Sequence, residues 1–274
     1  MKVRFIEVDG IRTRYYVAGT GRPLLLIHGV GSSADAWARC IDRLGERCTV
    51  YAPDLIGHGF SDAVDFGGAP PQAVQLKHLS GFVDALGLTR YAIAGASFGG
   101  LLAALMYFAR PAQVDKLVFI GSGSVFNPAE TQVAVLRAVL ANQIGAAEDP
   151  TPESIRARNA GSTFQKADVF EEIVLTLLTS YALPDRARAL RQTVEGLIAT
   201  VHSAEWRVLE RLEQIAVPTL VVTGREDPRA DWKHVEAGQR RMPDCAMRIF
   251  ERCGHKPPSE HPEEFSKAVL AFLG

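Results

Sequence analysis

Ser97 stands at the centre of Gly95-Ala96-Ser97-Phe98-Gly99, a G-x-S-x-G spacing that a sharp strand-to-helix turn needs if it is to expose a serine hydroxyl. Glycines two residues to either side remove the Cβ atoms that would clash where the backbone doubles back. The same five residues occur in ordinary turns, but here the apolar run Tyr91–Gly95 precedes them and the helical run Leu101–Ala109 follows, which favours the chemical reading. A serine hydroxyl is a weak nucleophile at neutral pH, so it needs a base, and the base needs an orienting acid. Asp227 comes just after the apolar run Thr219–Gly224, and His255 follows Met247–Phe250 in the loop Cys253-Gly254-His255. Glu226 and Asp231 are the rival acids; the place of Asp227 relative to the strand end favours it.

Seven histidines make a chance candidate easy to find, so the others need a reading too. His78, His202 and His234 fall in helical patterns and are expected to face solvent, and His261 belongs to the start of the last helix. His58, in Asp54-Leu55-Ile56-Gly57-His58-Gly59, reads as a turn residue with a structural role. The run Leu24–Ile27 ends in His28-Gly29-Val30-Gly31-Ser32-Ser33, a glycine-bearing loop in which His28 reads as an anchor. The backbone N–H of Val30 and that of Phe98 are the candidate oxyanion donors; losing one such donor costs about 10²- to 10³-fold in rate. No ligand spacing supports a metal at His28, His58 and Asp54.

The elements that must position these residues follow from periodicity. Asp9-Gly10 between Val3–Val8 and Thr13–Ala18 predicts an opening hairpin. Buried strands are expected at Leu24–His28, Thr49–Pro53, Tyr91–Gly95, Leu117–Gly121, Thr219–Gly224 and Met247–Phe250, alternating with helices near Ala34–Leu44, Gln72–Leu86, Phe98–Ala109, Trp232–Arg241 and Pro262–Leu273. From Phe126 to about Ile215 only helix-period stretches occur, at Gln132–Gln143, Val169–Thr179 and Ala187–His202, broken by Asp149-Pro150-Thr151-Pro152 and Leu183-Pro184-Asp185. The expected organisation is a strand-and-helix core, residues 1–124 and 216–274, interrupted by a helical cap at 125–215. Phe126, Phe164, Leu177 and Leu178 would line an apolar substrate wall if they face inward.

Composition bounds the partners. The chain has 274 residues, 47% hydrophobic, and 30 Lys and Arg against 31 Asp and Glu give a net charge of −1. That balance removes any bulk electrostatic case for nucleic acid or an anionic membrane and leaves a small molecule as the expected partner; a homodimer is compatible with it. Met1–Arg14 lacks the features of a signal peptide and no run is long enough to span a membrane, so a cytoplasmic protein is expected. The four cysteines have neither the density of a disulfide scaffold nor the spacing of a zinc site.

Four separated motifs, His28–Ser33, Asp54–Ser61, Gly95–Gly99 and Cys253–His255, together resemble the α/β-hydrolase superfamily over nearly the whole chain. The resemblance implies an α/β fold with a mostly parallel eight-stranded sheet, a helical cap entering after the sixth strand, and hydrolysis without a cofactor. Ser97 separates the chain from relatives with an aspartate nucleophile. The loop His28–Ser33 followed by Trp37 looks like enol-lactonases and cofactor-free haloperoxidase-type esterases. Leu117–Ser124 and the ending Cys253–Pro262 look more like meta-cleavage product hydrolases, which cleave a carbon–carbon bond in vinylogous diketo acids. That group carries a cap arginine for the substrate carboxylate and a tryptophan shortly after the histidine; here Lys256-Pro257-Pro258-Ser259 follows, and Arg137, Arg156, Arg158 and Arg191 are the candidates for that arginine. The sequence therefore favours a serine hydrolase of a small, largely apolar carboxylic ester or lactone. Carbon–carbon bond hydrolysis is the alternative reaction, and a ligand receptor on the same fold is the alternative of another class.

Overall fold

Leu24 to Ile27 are all fully buried, which a strand achieves only when both faces of its sheet are covered. Side chains alternate across a strand: Leu24 and Leu26 pack on one face with Trp37, Ile41, Phe265 and Val269, while Leu25 and Ile27 pack on the other with Phe82, Leu102 and Met106. In the computed structural model, which describes residues 1–165 and 169–274, this strand is one of eight. They are β1 (Lys2–Val8), β2 (Ile11–Ala18), β3 (Arg22–Ile27), β4 (Cys48–Pro53), β5 (Tyr91–Ala96), β6 (Val114–Ile120), β7 (Thr219–Gly224) and β8 (Cys245–Phe250), in the spatial order β1-β2-β4-β3-β5-β6-β7-β8. β1 and β2 form the expected hairpin, with Asp9 and Gly10 both at positive φ, and β2 runs antiparallel to β4. Every later pairing is parallel. From β3 the chain passes to β4 on one side and then to β5 on the other, so the C-terminal ends of β3 and β5 flank a switch point where α/β sheets open a crevice.

The helices are α1 (Ile41–Leu44), α2 (Pro71–Ala85), α3 (Phe98–Ala109), α4 (Gly123–Phe126), α5 (Ala129–Glu148), α6 (Pro152–Ala160), α7 (Glu171–Tyr181), α8 (Arg186–Thr200), α9 (Trp232–Gln239), α10 (Pro257–Glu260) and α11 (Pro262–Leu273). The block α4 to α8 lies between β6 and β7, where the sequence contained only helix-period stretches. α6 falls inside the proline-bearing break: Thr151 and Ser154 form a reciprocal capping box and Pro152 occupies the first turn, so the prolines start this helix rather than forbid it. The single helix expected over Ala34–Leu44 is instead a 3₁₀ turn at Ala34–Trp37 followed by α1, because Ser33 caps the turn through the amide of Asp35. His78 is also a correction: it is buried, with Nε2 2.9 Å from Thr13 Oγ1, on the same face of α2 as Gln75, Leu79 and Phe82. His202 is exposed and His234 half-buried.

Candidate active site

Ser97 adopts φ 53° and ψ −118°, a strained backbone for any residue but glycine, between β5 and the first residue of α3. The surrounding glycines make this turn fit. A Cβ on Gly95 would lie 2.2 Å from the Gly99 carbonyl oxygen, and one on Gly99 would lie 2.1 Å from that of Ile27. The serine amide donates to Ile120 at 2.8 Å and its carbonyl accepts from Ser124 Oγ at 2.8 Å, so β6 and α4 hold the elbow from the far side. Phe98 opens α3, and its N–H is among the first-turn amides that no helical carbonyl can reach.

Asp227 and His255 meet at the ends of β7 and β8. Nδ1 of His255 lies 2.9 Å and 3.0 Å from the two carboxylate oxygens of Asp227, and Oδ1 of Asp227 also accepts from the amides of Arg229 and Ala230 at 2.8 and 3.2 Å. The carboxylate is thus fixed before it orients the ring, and the other ring nitrogen of His255 is left for the cavity that His255 and Ser97 line together. Gly121, at φ 51°, leaves room for the pair: a Cβ there would come within 3.1 Å of Asp227 Oδ2 and 3.2 Å of His255 Nδ1.

His28 anchors the loop after β3. Its Nε2 accepts from the Leu55 amide at 3.0 Å, so Nδ1 carries the proton and donates to the Gly29 carbonyl at 2.8 Å. A trans peptide points its C=O and N–H in opposite directions, so holding the Gly29 carbonyl also fixes the direction of the Val30 N–H. Burial holds the His28 pKa down to about 4, which keeps this tautomer neutral. His58, down to about 3 through burial and the neighbouring His28, donates from Nδ1 to the Ile56 carbonyl at 3.0 Å as a turn residue. Asp54 is occupied by Arg14 and by the amides of Ala34 and Phe60 at 2.7 and 2.8 Å, and among the described residues no cluster of metal-ligating side chains exists.

Two chambers meet at Ser97. The first is lined by Val30, Trp37, Ser97, Leu177 and His255, and by Arg158, Arg229 and Lys256. The second is lined by Val30, Phe98, Leu101, Leu136, Val139 and Leu197, and also by Gln72, Gln132, Thr200, Arg207 and Arg229. Of the cap residues expected at the substrate, Leu177 lines the first chamber and two others are corrections. Phe126 is core, stacked edge-on against Phe119 with centroids 5.8 Å apart and filling the space beside Gly238. Phe164 is 38% exposed and tied by its amide to Glu260, with its ring under Arg252. Leu178 is half-buried outside both chambers. Of the four arginines considered, Arg137 is exposed, Arg156 pairs with Glu171 at 2.8 Å and Arg191 with Glu148 at 2.5 Å; Arg158 alone of the four enters the chamber.

Arg158 donates to the Gly31 carbonyl, which also accepts from Tyr181 Oη at 2.7 Å, and its guanidinium lies 5.4 Å from the Tyr181 ring centroid. Arg229, which nothing in the sequence singled out, is held down to about 10 by burial and by Arg158, so it stays charged at neutral pH. Among the described lining residues Asp35 is the one carboxylate, and it is bound by Arg14, Tyr16 and Ser33.

The profile of the Alpha/beta hydrolase family matches residues 24–268. The chain belongs to that family. It is a hydrolase with the family's fold, and its homologues include carbon–carbon bond hydrolases. It is 32% identical over 290 residues to a 2-hydroxy-6-oxononadienedioate/2-hydroxy-6-oxononatrienedioate hydrolase of Paraburkholderia xenovorans, covering 99% of this chain and 94% of that one. Among solved structures it resembles the meta-cleavage product hydrolase CumD of Pseudomonas fluorescens, with TM-score 0.82, 25% identity, and 98% and 97% of the two chains covered. It also resembles a bacterial membrane phospholipase A, with TM-score 0.84, 26% identity, and 99% and 85% covered. Among the described residues no helix is long and apolar enough to cross a membrane.

Proposed function

We propose that this hydrolase cleaves a carbon–carbon bond in a small vinylogous diketo acid. The observation that carries the reading is a pair of arginines, Arg158 buried and Arg229 half-buried, lining the same chamber as Ser97 with no free carboxylate among the described lining residues. A buried cation without a counter-ion is costly and is kept where a ligand supplies the charge. In this reading Ser97 attacks the ketone carbonyl, passing its proton to His255, whose ring Asp227 orients. The Val30 and Phe98 amides bind the oxyanion. The carbon–carbon bond breaks as the departing carbon leaves as an enolate conjugated with the acid end, where the arginines face the spreading negative charge, and the enolate takes the proton held by His255, leaving the imidazole neutral. Water then hydrolyses the acyl-enzyme through the same histidine. The second chamber, where Leu136, Val139 and Leu197 offer apolar contact, takes the acyl portion, and the insert 125–215, which supplies Arg158 and Leu177, serves as the cap over core segments 1–124 and 216–274.

Hydrolysis of an ester or lactone, the first expectation from the sequence, uses the same serine and histidine but gives Arg229 no task and leaves Arg158 only its bond to the Gly31 carbonyl. A receptor role would leave Ser97 idle. Side-by-side turnover of a 2-hydroxy-6-oxohexa-2,4-dienoate and a p-nitrophenyl ester separates the readings: the dienoate is expected to have the higher kcat/KM, and Ser97→Ala to lose at least about 10⁴-fold in kcat on it. Brisk ester turnover with none of the dienoate would return the assignment to esters.

A further inference from the structure

Lys256 sits between His255 and α10, half-buried, and lines the first chamber. Its side-chain nitrogen is 2.5 Å from Oδ1 of Asn159 on α6, an oxygen that accepts a hydrogen bond but carries no charge. The nearby acid on its own side, Glu260, is committed to backbone: Oε1 accepts the Lys256 amide at 2.9 Å, and Oε2 accepts the amides of Gly254 at 2.9 Å and Phe164 at 2.8 Å. The other groups around the chamber offer no counter-charge. Arg158 comes from α6 and Arg229 from the loop after β7, both cationic; His255 is held by Asp227, and Asp35 by Arg14. Burial and the two arginines hold the Lys256 pKa well below the usual lysine value, against a smaller opposing pull from Glu260. A carboxylate entering this space offsets the arginines and gives an ammonium a partner where little water competes.

We propose that Lys256 is the specificity-determining residue of the first chamber, where its side-chain nitrogen pairs with the substrate carboxylate. As the anion arrives, an amine left neutral in the empty site takes up a proton from solvent. The inference deepens the diketo-acid reading and rests on it for the identity of the anion. A group depressed in the empty site and restored by the bound anion links binding to proton uptake. Affinity for the acid is full below the empty-site pKa, falls about tenfold per pH unit as pH rises through it, and levels off above the value reached in the complex. Neutral analogues, with no charge to offer, lack this dependence.

Sorbate (hexa-2,4-dienoate) is a suitable probe because it has no bond for the serine to hydrolyse, and its amide is the neutral control. Calorimetry of the whole protein at a series of pH values from about 6 to about 10, in two buffers of different ionisation enthalpy at each, counts the protons taken up. Over the range in which the empty-site amine is neutral, the protein is expected to take up a proton with sorbate and none with sorbamide. Lys256→Arg, charged throughout, is expected to bind sorbate without uptake, and Lys256→Met to bind it roughly ten- to a hundredfold more weakly, the equivalent of one charged hydrogen bond. Uptake that persists in Lys256→Arg overturns the proposal, as does a wild-type protein that binds sorbate without uptake or does not bind it. Because sorbate is bound and not turned over, intact uptake without dienoate turnover would sink the reaction assigned above and keep the role of the lysine.

Discussion

Two groups of buried charge flank the loop from Gly29 to Asp35, and they are built on opposite rules. Arg14 is answered on every side: its Nε and Nη2 reach Asp54 at 2.6 and 3.0 Å, its Nη2 reaches Asp35 at 2.5 Å, and Tyr16 and Ser33 complete the second carboxylate. Burial opposes ionisation of Asp35, but the Arg14 fork outweighs it and holds that carboxyl below its usual range. Arg158 is as deeply enclosed, Arg229 and Lys256 are half-buried, Arg158 and Lys256 reach only carbonyl and amide oxygens, and among the described residues no carboxylate forms an ion pair with any of the three. A closed set of charges fixes two loops in place and has nothing left to offer a ligand. An open set destabilises the empty fold and is retained for what it will bind.

The contrast can be broken most sharply at Arg14. Arg14→Met strands two carboxylates in the interior and is expected to destabilise the protein by about 3–5 kcal/mol, read from urea unfolding at neutral pH. A loss under about 1 kcal/mol would mean that the closed set is no tighter than a surface pair. Acid probes the same neighbourhood. His28 falls from an unfolded value of 6.5 to about 4 in the fold, so the unfolded chain binds the proton first. The stability contributed by its neutral form is complete above about pH 6.5, is lost as pH falls toward about 4, and amounts to roughly 3 kcal/mol. His28→Gln, which cannot take up that proton, should flatten this part of the unfolding profile. The smallest expected effect on the fold is in the open set. Arg229→Met should leave stability unchanged or raise it by about 1 kcal/mol while raising KM for a dienoate about tenfold or more. A destabilisation like that at Arg14 would erase the distinction.

How far the sequence anticipates these features depends on what each one rests on. The strands, Ser97, Asp227 and His255 were legible because a strand-to-helix turn demands glycines at fixed offsets, and because α/β sites lie just past strand ends. The charges were not. Arg14, Asp35 and Asp54 lie on β2, a 3₁₀ turn and the loop after β4, and periodicity reports which side of an element faces the core without saying what lies across from it. Arg158 was one of four equivalent helical arginines until the fold paired two of the others with glutamates. Arg229 had no signal beyond following Asp227-Pro228. Phe126 sits at the boundary of the insert, where the same apolar side chain serves the floor of the sheet as readily as the roof of a pocket.

The threefold grip of Glu260 on the amides of Phe164, Gly254 and Lys256 joins two stretches that the chain order keeps far apart, and the His255 amide adds a bond of 2.8 Å to the carbonyl of Ser162. The roof segment and the histidine loop are therefore stitched into one piece. Chimeras that borrow a different roof from a relative must bring residues 253–260 with it, or the transplanted lid will drag the imidazole out of register.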